Sequence, residues 1–361
     1  MRPKIAVIGS GPSGFFLADT LSRRDDVDVD LFEKLTLPYG LVRYGVAPDH
    51  PGTKEVARVF DRVARRQNVR YFGGVEVGTA VTVDSLSRAY GTVVVATGAD
   101  RGLFAAFPGS ETRPDNVTAF DFMRAVNGHP EVAGLRLPRQ VKSVAIIGAG
   151  NVAVDVARIL CGGADRLEGA HPCPAFQRWF RNQCLESVAI LCRAGPDAVR
   201  YSPAMYDELT AVSNAHPGPK PEQRFWTRPV AYDRGILFVK AAEDKSGFLA
   251  VDLIIHAVGQ RPSAVPGLPG FAEDGGIRHR QGWVDGMGNV FAHGWAAGDM
   301  SAAIHDCRAA AKRAAPIILE HLCRRPGGHP GLDADQIATW TGCAPLRWGD
   351  WDRAGIQIEE G

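Results

Sequence analysis

The sequence has no excess of charge of either sign and no long apolar run. Its 41 lysines and arginines nearly balance its 40 aspartates and glutamates, so the formal net charge is +1. Such a balance gives no electrostatic reason to expect binding to nucleic acid or to a membrane surface. No stretch of about 18 consecutive apolar residues occurs, so we expect no membrane-spanning helix.

Cysteine is scarce and scattered. The seven cysteines include no Cys-x-x-Cys pair, which argues against a redox-active dithiol and against the usual spacing of a zinc site. We therefore predict no metal site, and an odd set of dispersed thiols is typical of a reducing cytoplasm. A predicted strand begins directly after Met1-Arg2-Pro3, so we expect no signal peptide and a cytoplasmic location.

The first predicted strand runs directly into three glycines. Residues 4–8 are followed by Gly9, Gly11 and Gly14, the G-x-G-x-x-G pattern at the start of a predicted helix. The first glycine permits a tight turn, the second lets the backbone approach a diphosphate, and the third lets the helix pack closely on the strand. The next strand ends in Glu33, which is placed to accept hydrogen bonds from a ribose diol. The pattern predicts a dinucleotide site; the alternative is a buried βαβ unit without a ligand.

A second turn of the same kind follows a later strand. Gly148, Gly150 and Ala153 form G-x-G-x-x-A, with alanine at the packing position. The strand after it, residues 187–191, ends without an acid and is followed by Arg193. An acid would repel a 2′-phosphate and an arginine would attract one, so this turn favours NADP over NAD. An ordinary surface arginine at this position is the alternative.

Two such turns predict two dinucleotides in one chain of 361 residues, and an enzyme that holds two commonly passes hydride between them. The β-branched run at 92–96 indicates a parallel sheet that is buried on both faces, and residues 253–257 are predicted to form a further buried strand. We predict an α/β fold with two Rossmann-like, three-layer dinucleotide-binding domains, the second inserted into the first. The first domain is expected at 1–110 and 270–361, and the second at 111–269.

A long loop after the first two strands resembles that of a known family. Residues 38–51, Pro-Tyr-Gly-Leu-Val-Arg-Tyr-Gly-Val-Ala-Pro-Asp-His-Pro, are nearly the loop of the adrenodoxin-reductase-like ferredoxin–NADP reductases, and residues 97–99, 127–130 and 294–295 support the match. The chain resembles a shortened, divergent member. The resemblance implies an FAD-dependent oxidoreductase that takes hydride from NADPH and passes electrons to ferredoxin or a similar acceptor.

The resemblance also implies which residues contact the two nucleotides. Those implied for FAD lie in the first turn, after the following strands and near the start of the last long helix: Gly9, Ser10, Gly11, Gly14, Glu33, Lys34, Gly40, Leu41, Val77, Thr97, Gly98, Trp295, Asp299, Ala302, Ala303 and Ile304. Those implied for NADP are Gly148, Gly150, Asn151, Val152, Ala153 and Arg193. His50, in the flavin-side loop, is the candidate for proton transfer near neutral pH; a buried structural histidine is the alternative.

Three departures from the family pattern fall on the NADPH side. The family pairs two adjacent arginines against the 2′-phosphate, and the second position here is Ala194. A family glutamate near the nicotinamide is replaced by Met205, and a glycine there by Ala302. These departures leave open a repurposed flavoenzyme that acts on a small molecule in specialised biosynthesis, with weakened or lost NADPH use, and a non-catalytic FAD-binding protein. The sequence also leaves open the acceptor, the pathway and the oligomeric state.

Overall fold

The computed structural model describes residues 2–272, 275–298, 304–324 and 329–350. The strands among them are β1 (Lys4–Ile8), β2 (Asp28–Glu33), β3 (Val69–Gly73), β4 (Thr92–Val95), β5 (Arg101–Gly102), β6 (Asn116–Thr118), β7 (Ser143–Ile147), β8 (Ser187–Leu191), β9 (Pro221–Arg224), β10 (Arg228–Asp233), β11 (Ile236–Lys240), β12 (Ser246–Ala250), β13 (Leu253–His256), β14 (Gln260–Arg261), β15 (His279–Arg280), β16 (Trp283–Val284) and β17 (Val290–Ala292).

The helices of the described residues separate most of these strands. They are α1 (Pro12–Leu21), α2 (Leu41–Tyr44), α3 (Pro51–Lys54), α4 (Ala57–Ala64), α5 (Val83–Ala89), α6 (Ala119–Val126), α7 (Asn151–Gly162), α8 (Pro174–Arg181), α9 (Pro203–Ala215), α10 (Ile304–Cys323) and α11 (Ala334–Thr341). Short 3-10 turns lie at Pro130–Val132, Asp165–Leu167, Pro196–Ala198, Ala242–Asp244 and Gly294–Ala297. None of the described helices is both long and apolar enough to cross a membrane.

The chain divides into two compact units. Unit 1 takes the described residues up to Arg43, those from Gly52 to Arg101, and those from Arg261 onward. Unit 2 takes Tyr44–Pro51 and Gly102–Gln260, so it interrupts unit 1 twice along the chain. The predicted domain limits, after residue 110 and before residue 270, stay a prediction about the functional domains. The compact units change at other positions, and residues 44–51 group with unit 2 instead of with the first domain.

Unit 1 is built on a seven-stranded sheet in the order β15-β16-β17-β4-β1-β2-β3. The five strands from β17 to β3 are parallel, and β15 and β16 add an antiparallel edge. Alternate residues of β1 face opposite sides: Ile5 and Val7 join the core under α1 and α10, while Ala6 and Ile8 join the core under α5 and α11. Both faces are covered, which is why the central strands are almost continuously apolar.

Unit 2 is built on a five-stranded parallel sheet in the order β6-β13-β7-β8-β9. Helices α6 to α9 pack on one face, with Phe122, Val156 and Leu209 in that core. The other face is covered by the antiparallel sheet β10-β11-β12, through Leu237 and Val239. The predicted α/β fold with two Rossmann-like domains is confirmed, and the antiparallel layer of unit 2 is an addition that the sequence did not predict.

The strand order of each unit fixes where a ligand can bind. In unit 1 the strand before the first glycine turn, β1, lies between β4 and β2. In unit 2 the strand before the second glycine turn, β7, lies between β13 and β8. Ligands of open parallel sheets bind outside the carboxyl ends of the strands, at the point where the strand order reverses. Both glycine turns leave their sheets at this point.

Candidate functional site

The first glycine turn has the backbone geometry that a diphosphate requires. Gly9 has a φ of +106°, and a Cβ at this position would lie 2.5 Å from the carbonyl oxygen of Ala96. A Cβ on Gly14 would lie 2.0 Å from the oxygen of Gly9, so α1 can pack this closely only with glycine. A Cβ on Gly11 would meet nothing within 4 Å. The second glycine therefore faces open space, where a phosphate can approach the backbone.

The start of α1 leaves donors for such an anion. Gly11 is the N-cap residue and provides no side-chain cap, and Pro12 occupies the first turn, where its missing N–H costs nothing. The remaining N–H groups of a first turn have no intrahelical acceptor, and the helix dipole places partial positive charge there. This is the arrangement in which helix N-termini bind phosphates.

Glu33 reaches the same turn from the end of β2. It is 7% exposed. Its Oε2 accepts hydrogen bonds from the backbone N–H of Ser10 at 3.0 Å and from the Ser10 hydroxyl at 2.7 Å, and its Oε1 accepts from the N–H of Leu35 at 3.0 Å. A carboxylate offers about four acceptor positions. One position remains for a ribose hydroxyl, which fits the role predicted for Glu33.

Other residues implied for FAD gather at this turn. A Cβ on Gly40 would lie 3.0 Å from the Cα of Gly11, and Tyr39 donates its N–H to the oxygen of Ser10 at 3.0 Å. Thr97 adjoins Gly9, since its Cα would be 3.1 Å from a Cβ there. Gly98 follows with a φ of +71° and open space at its Cβ position.

The last long helix and the segment before it complete the implied set. A Cβ on Gly294 would lie 2.3 Å from the hydroxyl of Ser13, which brings the segment before the half-buried Trp295 to the first turn of α1. Ile304 is the first residue of α10. Asp299, Ala302 and Ala303 lie outside the described residues.

Three implied residues lie elsewhere in unit 1. Leu41 is the half-buried first residue of α2. Lys34 follows β2, with its Nζ 3.9 Å from an oxygen of Asp100. Val77 is 8% exposed and packs in the hydrophobic core beneath α5 and α11. The contacts of Val77 are those of a core residue, whereas Leu41 and Lys34 remain partly accessible.

The second glycine turn repeats the geometry of the first. Gly148 has a φ of +139°, and a Cβ there would lie 2.2 Å from the oxygen of Ala257. Gly150 faces open space and is the N-cap of α7 without a side-chain cap. Ala153 is fully buried at the packing position. This turn therefore also has the open backbone and the uncapped helix start that a diphosphate requires.

The remaining residues implied for NADP are accessible. Val152 is 45% exposed. Asn151 is exposed, and its Oδ1 accepts a hydrogen bond from the N–H of Ser202 at 3.0 Å. Arg193 is exposed just beyond β8 and forms no ion pair with any residue that the structure describes. A free guanidinium at this place is available to a phosphate.

His50 meets two carboxylates of unit 2. Its Nε2 lies 3.0 Å from Oε2 of Glu208 on α9, and its Nδ1 lies 3.9 Å from Oδ1 of Asp155 on α7. The sequence predicts that this part of α9 lacks the family acid, because Met205 occupies that position. Glu208 was missed, although it lies three residues later and so on the same helix face. The three-residue spacing from Met205 is the sequence feature by which Glu208 can be identified.

A fully buried arginine lies next to this pair. Arg158 donates to Asp49 from Nε and Nη2, both at 2.9 Å, and to Asp155 from Nη1 at 2.7 Å. Its Nε is 3.6 Å from Glu208, and Arg166 also binds Asp49. Burial opposes ionisation of Asp49, but the hydrogen bonds from Arg158 and Arg166 outweigh it and lower the pKa of Asp49 to about 2. Burial raises the pKa of Asp155 more than Arg158 lowers it.

This cluster attaches the loop 44–51 to unit 2. Asp49 and His50 are consecutive in the loop, and their partners lie on α7, on α9 and in the 3-10 turn Asp165–Leu167. His50 is therefore held by charged groups on both ring nitrogens and is half-buried. The described residues contain no group of His, Cys, Asp and Glu arranged to hold a metal ion.

Known proteins share both the sequence pattern and the fold. Residues 3–191 match the pyridine nucleotide-disulphide oxidoreductase family. The chain is 30% identical over 410 aligned positions to the NADPH-ferredoxin reductase FprA of Mycobacterium tuberculosis, which covers 94% of this chain and 90% of that protein. It is 38% identical over 215 positions to the human mitochondrial NADPH:adrenodoxin oxidoreductase, which covers 60% of this chain and 44% of the human protein. The solved structure of M. tuberculosis FprA in complex with NADPH is similar with a TM-score of 0.85, at 27% identity over 94% of this chain and 90% of that chain.

Proposed function

This chain belongs to the pyridine nucleotide-disulphide oxidoreductases and, among them, to the ferredoxin–NADP reductases related to adrenodoxin reductase, and on this premise we propose how its residues serve that chemistry. The protein is a flavoprotein oxidoreductase that uses FAD and NADPH and passes electrons to a ferredoxin-type acceptor. These relatives favour this function over a repurposed small-molecule flavoenzyme and over a non-catalytic FAD-binding protein.

One observation carries the assignment of the two nucleotides to the two units. Gly11 and Gly150 each face open space in front of an uncapped helix, while Gly9, Gly14 and Gly148 each lack room for a side chain. We assign FAD to unit 1 because Glu33 ends β2, the strand after the first glycine turn. We assign NADPH to unit 2 because Arg193 lies just after β8, the strand after the second glycine turn. When bound, FAD supplies hydride acceptance from NADPH and release of electrons one at a time.

The chain's own groups bind and orient the two nucleotides. The N–H groups at the start of α1 bind the FAD diphosphate, and Glu33 accepts a hydrogen bond from the adenosine ribose. The N–H groups at the start of α7 bind the NADPH diphosphate, and Arg193 pairs with the 2′-phosphate. The family places two adjacent arginines against this phosphate. Here Arg193 occupies the first position and Ala194 the second, so one arginine remains.

His50 is proposed as the proton-transfer residue, with Glu208 as its positioning carboxylate. The distance of 3.0 Å between Nε2 and Glu208 fixes the orientation of the imidazole ring. Glu208 thus supplies, from one turn farther along α9, the acid that Met205 lacks. Arg158 and Asp49 hold the loop that carries the histidine.

We further propose that the acceptor is a ferredoxin and that the protein works in the cytoplasm. The names of the two relatives, a ferredoxin reductase and an adrenodoxin reductase, support an iron–sulfur acceptor. None of the seven cysteines, all of which lie in the described residues, forms a disulfide, which supports a reducing compartment.

Anaerobic addition of NADPH to the purified yellow protein tests the function. We expect the flavin absorbance to bleach with NADPH, and cytochrome c to be reduced only after a ferredoxin is added. If NADPH and NADH both leave the flavin oxidised, the proposed function is wrong. Bleaching without ferredoxin-dependent cytochrome c reduction would contradict only the proposed acceptor.

Two glycine variants with matched controls separate the two sites. Gly11→Ala places a methyl group where the FAD diphosphate approaches, so we expect a lower ratio of flavin to protein after purification. Gly150→Ala should keep the flavin and weaken NADP⁺ binding in calorimetric titration. Gly288→Ala and Gly134→Ala also place a methyl group in open space, but away from both turns, and should change neither quantity. Equal flavin content in the Gly11 and Gly288 variants would contradict the site in unit 1.

A further inference from the structure

The turn between β9 and β10 holds a tryptophan at the surface of unit 2. Trp226 is 55% exposed, with a φ of +50°, a left-handed conformation that bulky residues rarely adopt. Three backbone hydrogen bonds attach the turn to the segment after β8: Cys192 N–H to Arg224 O at 2.9 Å, Trp226 N–H to Ala194 O at 3.2 Å, and Thr227 N–H to Cys192 O at 2.9 Å. The turn is therefore fixed beside this segment.

The indole lies against a glycine of the same segment. A Cβ at Gly195 would lie 2.7 Å from Cζ2 of Trp226 and 2.9 Å from Cε2, so the ring keeps this place only because residue 195 has no side chain. Phe225 lies beside the ring, with centroids 6.1 Å apart. A large aromatic surface is thus supported from below and remains open to solvent.

The position of this surface suggests its ligand. The carbonyl that accepts the Trp226 N–H belongs to Ala194, the neighbour of Arg193. In a dinucleotide-binding βαβ unit, the residues that follow the second strand meet the adenosine ribose and its 2′-phosphate. An exposed aromatic ring next to them is suited to the purine of the same nucleotide, because bases stack on aromatic side chains through their π-faces.

We propose that Trp226 is the surface on which the adenine of NADPH stacks, and that the absence of a side chain at Gly195 leaves room for the indole. This inference rests on the proposed function, because it requires unit 2 to bind NADPH. Stacking of the adenine contributes to binding independently of the 2′-phosphate. It therefore adds affinity for the adenosine half of the nucleotide at a site where Ala194 replaces the second arginine of the family.

Calorimetric titration of the oxidised, FAD-loaded protein tests the inference, with NADP⁺ and adenosine 2′,5′-bisphosphate as ligands. Trp226→Ala should weaken both by a similar factor of about 5- to 150-fold, since the bisphosphate contains the whole adenosine contact. Trp226→Phe should retain most of the affinity. Phe248→Ala is the matched control, because Phe248 is 69% exposed on β12 and should leave both affinities unchanged.

A second variant tests the place of the ring without removing it. Gly195→Ala should weaken binding by displacing the indole, and it should have no further effect in a Trp226→Ala background. If the losses of affinity in Gly195→Ala and Trp226→Ala add in full in the double variant, the stacking geometry is contradicted. Unchanged affinity in Trp226→Ala, or an equal loss in Phe248→Ala, would overturn the inference while the proposed function stands. If the unaltered protein binds neither ligand, the use of NADPH itself is wrong.

Discussion

Replacing Arg158 by methionine measures how strongly the buried ion pairs stabilise unit 2. The arginine is fully buried, with two hydrogen bonds of 2.9 Å to Asp49 and one of 2.7 Å to Asp155. Methionine fills part of the same space without charge. Asp49 keeps Arg166, but Asp155 loses its guanidinium partner.

The structure gives the expected size of the loss. Removing one partner of a buried ion pair costs about 3–5 kcal/mol, because the remaining charge is left without compensation. The lowering of the Asp49 pKa from 3.8 to about 2 corresponds to roughly 2 kcal/mol of stabilisation. The stabilisation derived from the Asp49 pKa is already reduced by the cost of burial and includes the contribution of Arg166. We therefore expect Arg158→Met to reduce the free energy of unfolding by about 3 kcal/mol, at the lower end of the range for a broken buried ion pair.

The pH dependence has a definite sign. The pKa of Asp49 is lower in the folded protein, so its stabilisation is fully present above about pH 4 and is lost as the pH falls toward 2. In Arg158→Met this acid-dependent loss should shrink, because the carboxylate no longer has its main partner.

Urea unfolding of the FAD-loaded protein at pH 7 and at lower pH, followed by circular dichroism, is the assay. Arg178→Met is the matched control: Arg178 is exposed on α8 and its replacement should change the free energy of unfolding by less than about 0.5 kcal/mol. Faster proteolysis of the loop 44–51 in Arg158→Met is expected as well. A loss below about 1 kcal/mol, or one equal to that of the control, would refute the view that Arg158 holds this loop.

Three further predictions concern single sites. Ala194→Arg should tighten NADP⁺ binding by about tenfold and leave NAD⁺ binding unchanged, since a charge-assisted pair with the 2′-phosphate beside Arg193 contributes about 1–3 kcal/mol. Equal NADP⁺ affinities of the variant and the unaltered protein in calorimetry would contradict the assigned phosphate position. Glu208→Gln keeps a polar partner for His50 but removes the carboxylate that orients its ring, so stopped-flow reduction of the flavin by NADPH should slow. An unaltered rate would show that Glu208 does not act through His50. Burial lowers the pKa of His256 from 6.5 to about 4, so between these pH values the unfolded chain binds a proton that the folded chain does not. The free energy of unfolding should therefore fall by up to roughly 3 kcal/mol as the pH drops from 6.5 to 4. In urea unfolding, His256→Gln should flatten this part of the plot of stability against pH, and an equally steep plot would contradict the prediction.

The sequence by itself determined the two dinucleotide-binding folds. Gly9 and Gly148 adopt backbone conformations open mainly to glycine, and Gly14 has no room for a Cβ. These requirements are local, since each involves a strand, its turn and the following helix. For the same reason Glu33, at the end of the next strand, lies at the first glycine turn and bonds Ser10, because a parallel βαβ unit brings it there.

The tertiary structure decided the partners of the residues between these turns. His50 and Glu208 are 158 positions apart, and Trp226 reaches Gly195 only because β9 lies beside β8. Local sequence patterns do not predict such contacts, because each contact depends on how the sheet and the helices pack against one another. Glu208 lies one turn beyond Met205 on the same face of α9, and it is this residue that contacts His50.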